Sequence, residues 1–322
     1  MCAFCNQRTI TGTEKIPHGE DVVRICTQAM NEVSNPNDTE IAFFGGSFTA
    51  VPRDYMIELL DAAKPFVVEG KFKGIRLSTR PDYIDVEVLQ ILKSYGVTSI
   101  ELGAQSMCDK VLNANERGHT SADVENASRL IKSYGFELGL QMMVGLYQSS
   151  WDDEISTMEQ IIKLAPETVR IYPVAVLNGT RLAELYKSGD YKLLSMDSVI
   201  DLCTIMTKCF YNAGIKIIRM GLHSSETVEE NIVAGFYHPA FSELVSGRIF
   251  LNAMLLYAKK NNVSEMRVCV NPSCASFVSG HKKCNKILLQ EKGIALKIVS
   301  DSTLAKNQIR INEDVINVFE IA

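Results

Sequence analysis

Strand-like and helix-like segments alternate along the first half of this chain, and that alternation limits the possible folds more than any other feature. Strand-like runs occur at 40–44 (EIAFF), 74–79 (GIRLST), 98–103 (TSIELG), 137–143 (ELGLQMM) and 168–173 (TVRIYP). Helical patterns lie between them near 20–33, 52–66, 85–95, 121–134 and 151–164. Asp85 and Ser121 stand where N-caps belong, and Gly96 and Gly135 where helices stop. Such alternation predicts βαβ units on a parallel sheet. Right-handed crossovers curl five or six such units into an α/β barrel or part-barrel. The chain opens on a loop, so a partial (β/α) barrel lacking its first strand is expected.

After Gly179 the rhythm changes, with helical patterns near 180–188, 195–213 and 238–260 and a short apolar run at 215–218. The tail reads strand 265–270, helix 277–291, strand 294–299 and two further strands near 308–311 and 316–320. A boundary at Asn261-Asn262 would divide the chain into a core with a helical extension, 1–262, and a small α/β domain, 263–322.

Composition narrows the function classes. A chain of 322 residues with 46% hydrophobic content and net charge −5 is globular and carries no overall basic field for nucleic acid. Membrane spans need about 18 apolar residues in a run, and none is present, so no membrane partner is expected. Nine irregularly spaced cysteines do not form a disulfide scaffold, so a reducing cytoplasm is expected.

Cys2 and Cys5 make a C-x-x-C pair, which alone suits half a zinc site, a redox pair or chance. Its context is more specific. Asn6-Gln7 follow it, and Gly45-Gly46-Ser47-Phe48 close the next strand. Arg80 and Gln105 follow strands, at the ends where barrel sites are built. Glu101 lies within an otherwise apolar parallel strand and should face inward.

Taken in order, CxFCNQRTITG, FFGGSFTA, LSTRPDYID, ELGAQS, RGHT and VRIYPVAVLNGT resemble the radical S-adenosylmethionine (SAM) core shared by the Elongator catalytic subunit and its shorter bacterial relatives. The resemblance covers about residues 2–260. It implies a [4Fe-4S] cluster held by thiolates at C-x3-C-x2-C spacing, with SAM on the open iron. Cys2 and Cys5 are then the second and third ligands. The first lies four residues before Cys2, outside this sequence, which favours a truncated N-terminus over a cluster-free protein.

The resemblance also assigns SAM contacts. Gly45-Gly46, with Ser47, brings backbone close to the amino group, where a side chain would obstruct. Gln105 and Arg117 face SAM, with Arg117 toward the carboxylate that a guanidinium matches as a fork. Gln141 stands where related enzymes often bind the ribose hydroxyls with an acidic residue, and its amide can pair with hydroxyls. Tyr172-Pro173 and the following Val174–Leu177 lie near the adenine. His119 is either a substrate-site group or a packing residue.

Two tail features have plainer readings. Cys269, Cys274, His281 and Cys284 match no common zinc-finger spacing. His281, Lys282, Lys283 and Lys286 form a basic cluster faintly like the turn of a KH-type RNA module, although a solvated face is the simpler expectation. About 60 residues follow position 262, too few for the acetyltransferase domain of the full Elongator subunit.

The expected activity is generation of a 5′-deoxyadenosyl radical, with a flavodoxin- or ferredoxin-type electron donor and RNA among the candidate substrates. The alternatives are an enzyme like coproporphyrinogen oxidase and a cluster-free RNA-binding or scaffold protein.

Overall fold

A computed structural model describes residues 2–12, 15–223 and 226–320. In chain order the elements begin α1 (Gln7–Thr11), α2 (Gly19–Glu32), β1 (Glu40–Phe43), α3 (Arg53–Val68), β2 (Gly74–Thr79), α4 (Val86–Ser94), β3 (Val97–Gln105), α5 (Asp109–Ala114), α6 (Ser121–Ser133) and β4 (Glu137–Val144). They continue α7 (Trp151–Leu164), β5 (Thr168–Pro173), β6 (Ala175–Leu177), α8 (Arg181–Ser188), α9 (Met196–Asn212), β7 (Lys216–Met220), α10 (Glu226–Asn231), β8 (Ile232–Gly235) and α11 (Phe241–Asn261). The tail holds β9 (Glu265–Val270), α12 (Ala275–Ser279), α13 (Cys284–Glu291), β10 (Ala295–Ser300), β11 (Gln308–Ile311) and β12 (Asp314–Asn317).

Contacts group the chain into two compact units: Met1–Leu193 with His223–Gly235, and Leu194–Leu222 with Phe236–Ala322. Position 262 falls inside the second unit, where α11 packs on α9 and α12.

In the first unit β1 to β5 pair in sequence order, every pair parallel, as the βαβ alternation predicts. Side chains alternate between the two faces of a strand. One face carries Ile75, Leu77, Ile100, Leu102, Leu138, Leu140, Val169 and Ile171, all fully buried or nearly so. The other carries Arg76, Ser99, Glu101, Glu137 and Arg170, which bond to one another. The sheet is therefore apolar on one side and ionic on the other. Fully burying a leucine or isoleucine stabilises by about 1.5–3 kcal/mol, so the apolar face supplies the main stabilisation.

Local signals set the helix ends. The Asp85 carboxylate accepts from the Val88 amide at 2.8 Å and caps α4. For α6 the cap is Thr120 rather than Ser121. Thr120 Oγ1 accepts from the Asp123 amide at 3.3 Å, and the Asp123 carboxylate accepts from the Thr120 amide at 2.7 Å. This reciprocal box outweighs a lone serine one residue on. Gly96 and Gly135 have φ of 78° and 76°, the left-handed geometry that ends helices.

The second unit contains a sheet ordered β10-β9-β11-β12, with β9 and β10 parallel and β11 antiparallel to β9 and β12. The helix expected over 277–291 is broken into α12 and α13. Gly280, Lys282 and Lys283 take φ of 75°, 51° and 63°, which a continuous helix excludes. The last strand begins at Asp314, two residues before expectation, because a tight turn at Asn312 (φ 53°) pairs Ile311 with Asp314.

Candidate functional site

The N-terminal loop is pinned by backbone bonds. The Ala3 amide donates to Asn115 O at 3.1 Å, and the Leu182 amide donates to Ala3 O at 2.7 Å. Ala3 and Phe4 are buried, and the Cys5 amide donates to Cys2 O at 3.1 Å, closing a turn that sets the two thiols together. Burial raises the Cys5 thiol pKa, and Cys2 beside it raises it further, against the lowering effect of Arg117.

Arg117 ties this loop to the sheet. Its Nη1 donates to Cys2 Sγ at 3.0 Å and its Nη2 to Gly103 O at 2.7 Å. The guanidinium lies over the Phe4 ring at 5.9 Å, and Nε is buried with no partner among the described residues. The end of β3 is shaped to admit it. A Cβ on Gly103 would stand 2.9 Å from Gln105 Nε2 and 3.4 Å from Arg117 Nη2. Gln105 Oε1 accepts from Gln141 Nε2 at 3.3 Å.

Arg80 lies beside the same group. It is ion-paired to Asp82 at 2.9 and 2.6 Å, and its Nη2 lies 3.1 Å from where a Cβ on Gly118 would stand. Its pKa is raised mainly by Asp82, with Cys2 contributing in the same direction.

Gly45, Gly46 and Ser47 follow β1. Gly45 has φ 109°, and a Cβ on Gly46 would meet nothing within 4 Å, so backbone here is open to approach. Ser78 Oγ donates to Gly46 O at 3.4 Å, placing the turn beside the end of β2. Tyr172, near the end of β5, connects through Arg170, whose Nη1 is 3.5 Å from Tyr172 Oη. Cys2, Cys5, Arg80, Gln105, Arg117 and Gln141 thus form one connected group, with Gly45–Ser47 and Tyr172 at the same ends of neighbouring strands.

The ionic face extends this group along the strands. Glu101, only 3% exposed, accepts from Arg170 and Arg76, while Arg76 also donates to Glu40 at 2.9 Å and Glu137 at 3.1 Å. Arg170 lies over the half-exposed Phe44 ring at 4.9 Å. Sequence reading reached Glu101 but missed Arg170, Arg76, Gly103 and Phe44. For the two arginines the signal was present, since polar residues recur at alternate positions 76 and 78, 99 and 101, and 168, 170 and 172; Gly103 and Phe44 carried none.

Two thiols in one turn, an arginine against one of them, open glycine backbone and two facing amides suit part of the ligand set of an iron–sulfur cluster and an amino-acid-bearing ligand. Among the described residues, no three His, Cys, Asp or Glu side chains form a metal site by themselves. Among the same residues, no helix is long and apolar enough to cross a membrane.

Comparison with known proteins gives the chain a family. The Radical SAM superfamily matches residues 1–161, and the Radical_SAM C-terminal domain matches 166–250. Elongator complex protein 3 of Homo sapiens is 32% identical over 183 residues, covering 51% of this chain and 34% of that protein. A tRNA uridine(34) acetyltransferase of Methanocaldococcus jannaschii is 29% identical over 197 residues, covering 54% and 36%. The chain thus spans about a third of these relatives' length. The structure of Methanocaldococcus infernus Elp3 lacking residues 1–46 aligns over 92% of this chain and 72% of that one, with TM-score 0.60 and 22% identity. Coproporphyrinogen III oxidase of Escherichia coli aligns over 66% and 50%, with TM-score 0.50 and 16% identity, a likeness of fold alone. The part-barrel, its cysteine loop and the family match over half of the chain place this protein in the radical SAM superfamily.

Proposed function

We propose that this chain is a radical SAM enzyme acting on RNA. The observation that carries the reading is Arg117, which joins the Cys2 thiol to the Gly103 carbonyl within reach of the Gln105–Gln141 amides. That is a cradle for an amino-acid carboxylate built against a thiol loop. Cys2 and Cys5 would hold part of a [4Fe-4S] cluster, and that cluster would supply one-electron reduction of SAM. The chain's own residues bind and orient. Cys2 and Cys5 provide two thiolates, Arg117 a fork for carboxylate, Gly45-Gly46 backbone for the amine, and Gln105 and Gln141 amides for hydroxyls. Tyr172 and Phe44 offer flat surfaces for a base. A flavodoxin- or ferredoxin-type protein would supply the electron.

RNA as substrate is supported by a relative whose name specifies tRNA uridine 34. The test is anaerobic reconstitution with iron and sulfide of the protein expressed with any coding sequence upstream of Met1, followed by dithionite, SAM and bulk tRNA. Formation of 5′-deoxyadenosine, increased by tRNA, is expected. A protein that holds iron yet leaves SAM intact overturns the radical reading. Cleavage indifferent to tRNA overturns the substrate.

A further inference from the structure

The end of β3 contains a conformation that its sequence does not favour. Gln105 has φ 65°, and the Ser106 amide donates to Ala104 O at 2.8 Å, two residues back. That is a γ-turn centred on a non-glycine residue at positive φ, a rare and strained form that persists only where surrounding structure enforces it. The parallel register with β4 shifts at the same place, between Gly103 and Gln105.

Two side chains from the segment between α5 and α6 grip the carbonyls on either side of the Ala104 amide. Arg117 Nη2 donates to Gly103 O at 2.7 Å, and His119 Nε2 is 3.2 Å from Ala104 O. A carbonyl only accepts, so Nε2 carries the imidazole proton. His119 is 3% exposed and its Nδ1 has no partner among the described residues. Burial first, then Arg117, lowers its pKa to about 4, so the ring stays neutral with this one N–H. Ala104 O therefore accepts twice, from the γ-turn and from His119.

We propose that His119 is a positioning residue which, with Arg117, clamps the Gly103 and Ala104 carbonyls and thereby holds Gln105 in its γ-turn with its amide facing the ligand cradle. Without the clamp the strand relaxes toward ordinary extended backbone. The Gln105 amide then leaves its place beside Arg117 and Gln141.

The ligand arm of the test rests on the proposed function, and the backbone arm does not. Two variants separate donor from volume. His119→Phe fills the space without an N–H, and His119→Gln returns a donor near the Nε2 position. Hydrogen exchange at the Ser106 amide reports the turn, and calorimetric titration of SAM into the reconstituted protein reports the ligand. His119→Phe should exchange at Ser106 at least tenfold faster and bind SAM about tenfold more weakly at unchanged iron content, and His119→Gln should recover both. Wild-type exchange or wild-type SAM affinity in His119→Phe overturns the proposal, as does a His119→Gln protein equally impaired. If wild type itself binds no SAM, the functional reading falls and exchange alone decides the clamp. Should His119→Phe fail to fold, Gln105→Gly supplies a residue that adopts positive φ freely. The double variant should then fold, and its failure returns His119 to simple packing.

Discussion

Glu101 takes both prongs of the Arg170 guanidinium, Nε to Oε2 at 2.5 Å and Nη2 to Oε1 at 3.1 Å, while Oε1 also accepts from Arg76 at 3.3 Å. One nearly buried carboxylate thus pairs with both guanidiniums, and it is the carboxylate partner of Arg170, while Arg76 is paired further by Glu40 and Glu137. Removing one member of such a set leaves charge uncompensated, a loss of about 3–5 kcal/mol. Glu101→Ala should lower unfolding free energy by that order in urea titration. A change under about 1 kcal/mol would place the network among exposed pairs of little worth.

Glu154 gives stability a pH slope. It is buried and accepts from the Gly145 amide at 2.7 Å, and burial raises its pKa from 4.5 to about 7. Between those values the folded chain keeps a proton that the unfolded chain has released. Its contribution is therefore whole below about pH 4.5, declines as pH rises, and is gone above about 7, a span on the order of 3 kcal/mol. Glu154→Gln should remove this slope, so the difference between the urea midpoints of wild type and variant should grow from pH 5 to pH 8. Parallel midpoints would refute it.

Arg117→Ala should weaken SAM binding by about tenfold to a hundredfold, the loss of a charge-assisted contact of about 1.5–3 kcal/mol. Arg117→Lys should recover part of this, because lysine returns charge without the fork. Cys5→Ala should instead lower bound iron. Unchanged affinity in the alanine variant would leave Arg117 a brace for the cysteine loop.

Two glycines on the same sheet face, one in β3 and one in β4, should respond differently to alanine. At Gly103 the new Cβ meets the movable end of Gln105 at 2.9 Å. At Gly139 it meets Glu101 Cγ at 2.6 Å and Thr168 Oγ1 at 3.0 Å, inside the ion network. Gly103→Ala should therefore reduce SAM affinity with little change in melting temperature. Gly139→Ala should unfold several degrees earlier, as overpacking of about 1–3 kcal/mol implies. Equal melting losses would contradict the assignment.

The strands and helices before Gly179 were legible because their signals are local: apolar runs, caps and glycine stops. Boundaries at Asp85, Gly96 and Gly135 lie where chain chemistry puts them, and Thr120 displaced Ser121 only because its box with Asp123 spans four residues. The break in the tail helix was half legible: Gly280 is a visible stop, whereas Lys282-Lys283 give no warning of positive φ. The candidate site's residues follow from the order of motifs, but the bond from Arg117 to Cys2 does not, because it joins residues 115 apart in sequence. Gln105's turn was equally hidden, being imposed from outside by two side chains.

The division of β2 to β5 into an apolar face and an ionic one has an evolutionary consequence. Apolar packing stabilises one set of alternate residues, while the other set combines the ion network around Glu101 with the candidate site at the strand ends, within the same strands. In a saturating mutational scan, tolerance of polar substitution should oscillate along each strand with a two-residue period, the apolar positions rejecting it throughout and the other face rejecting it chiefly at the ion network around Glu101. Drift toward a new ligand is then confined to the strand ends beyond the ion network, and a single-residue slip in register would exchange the two faces and forfeit both.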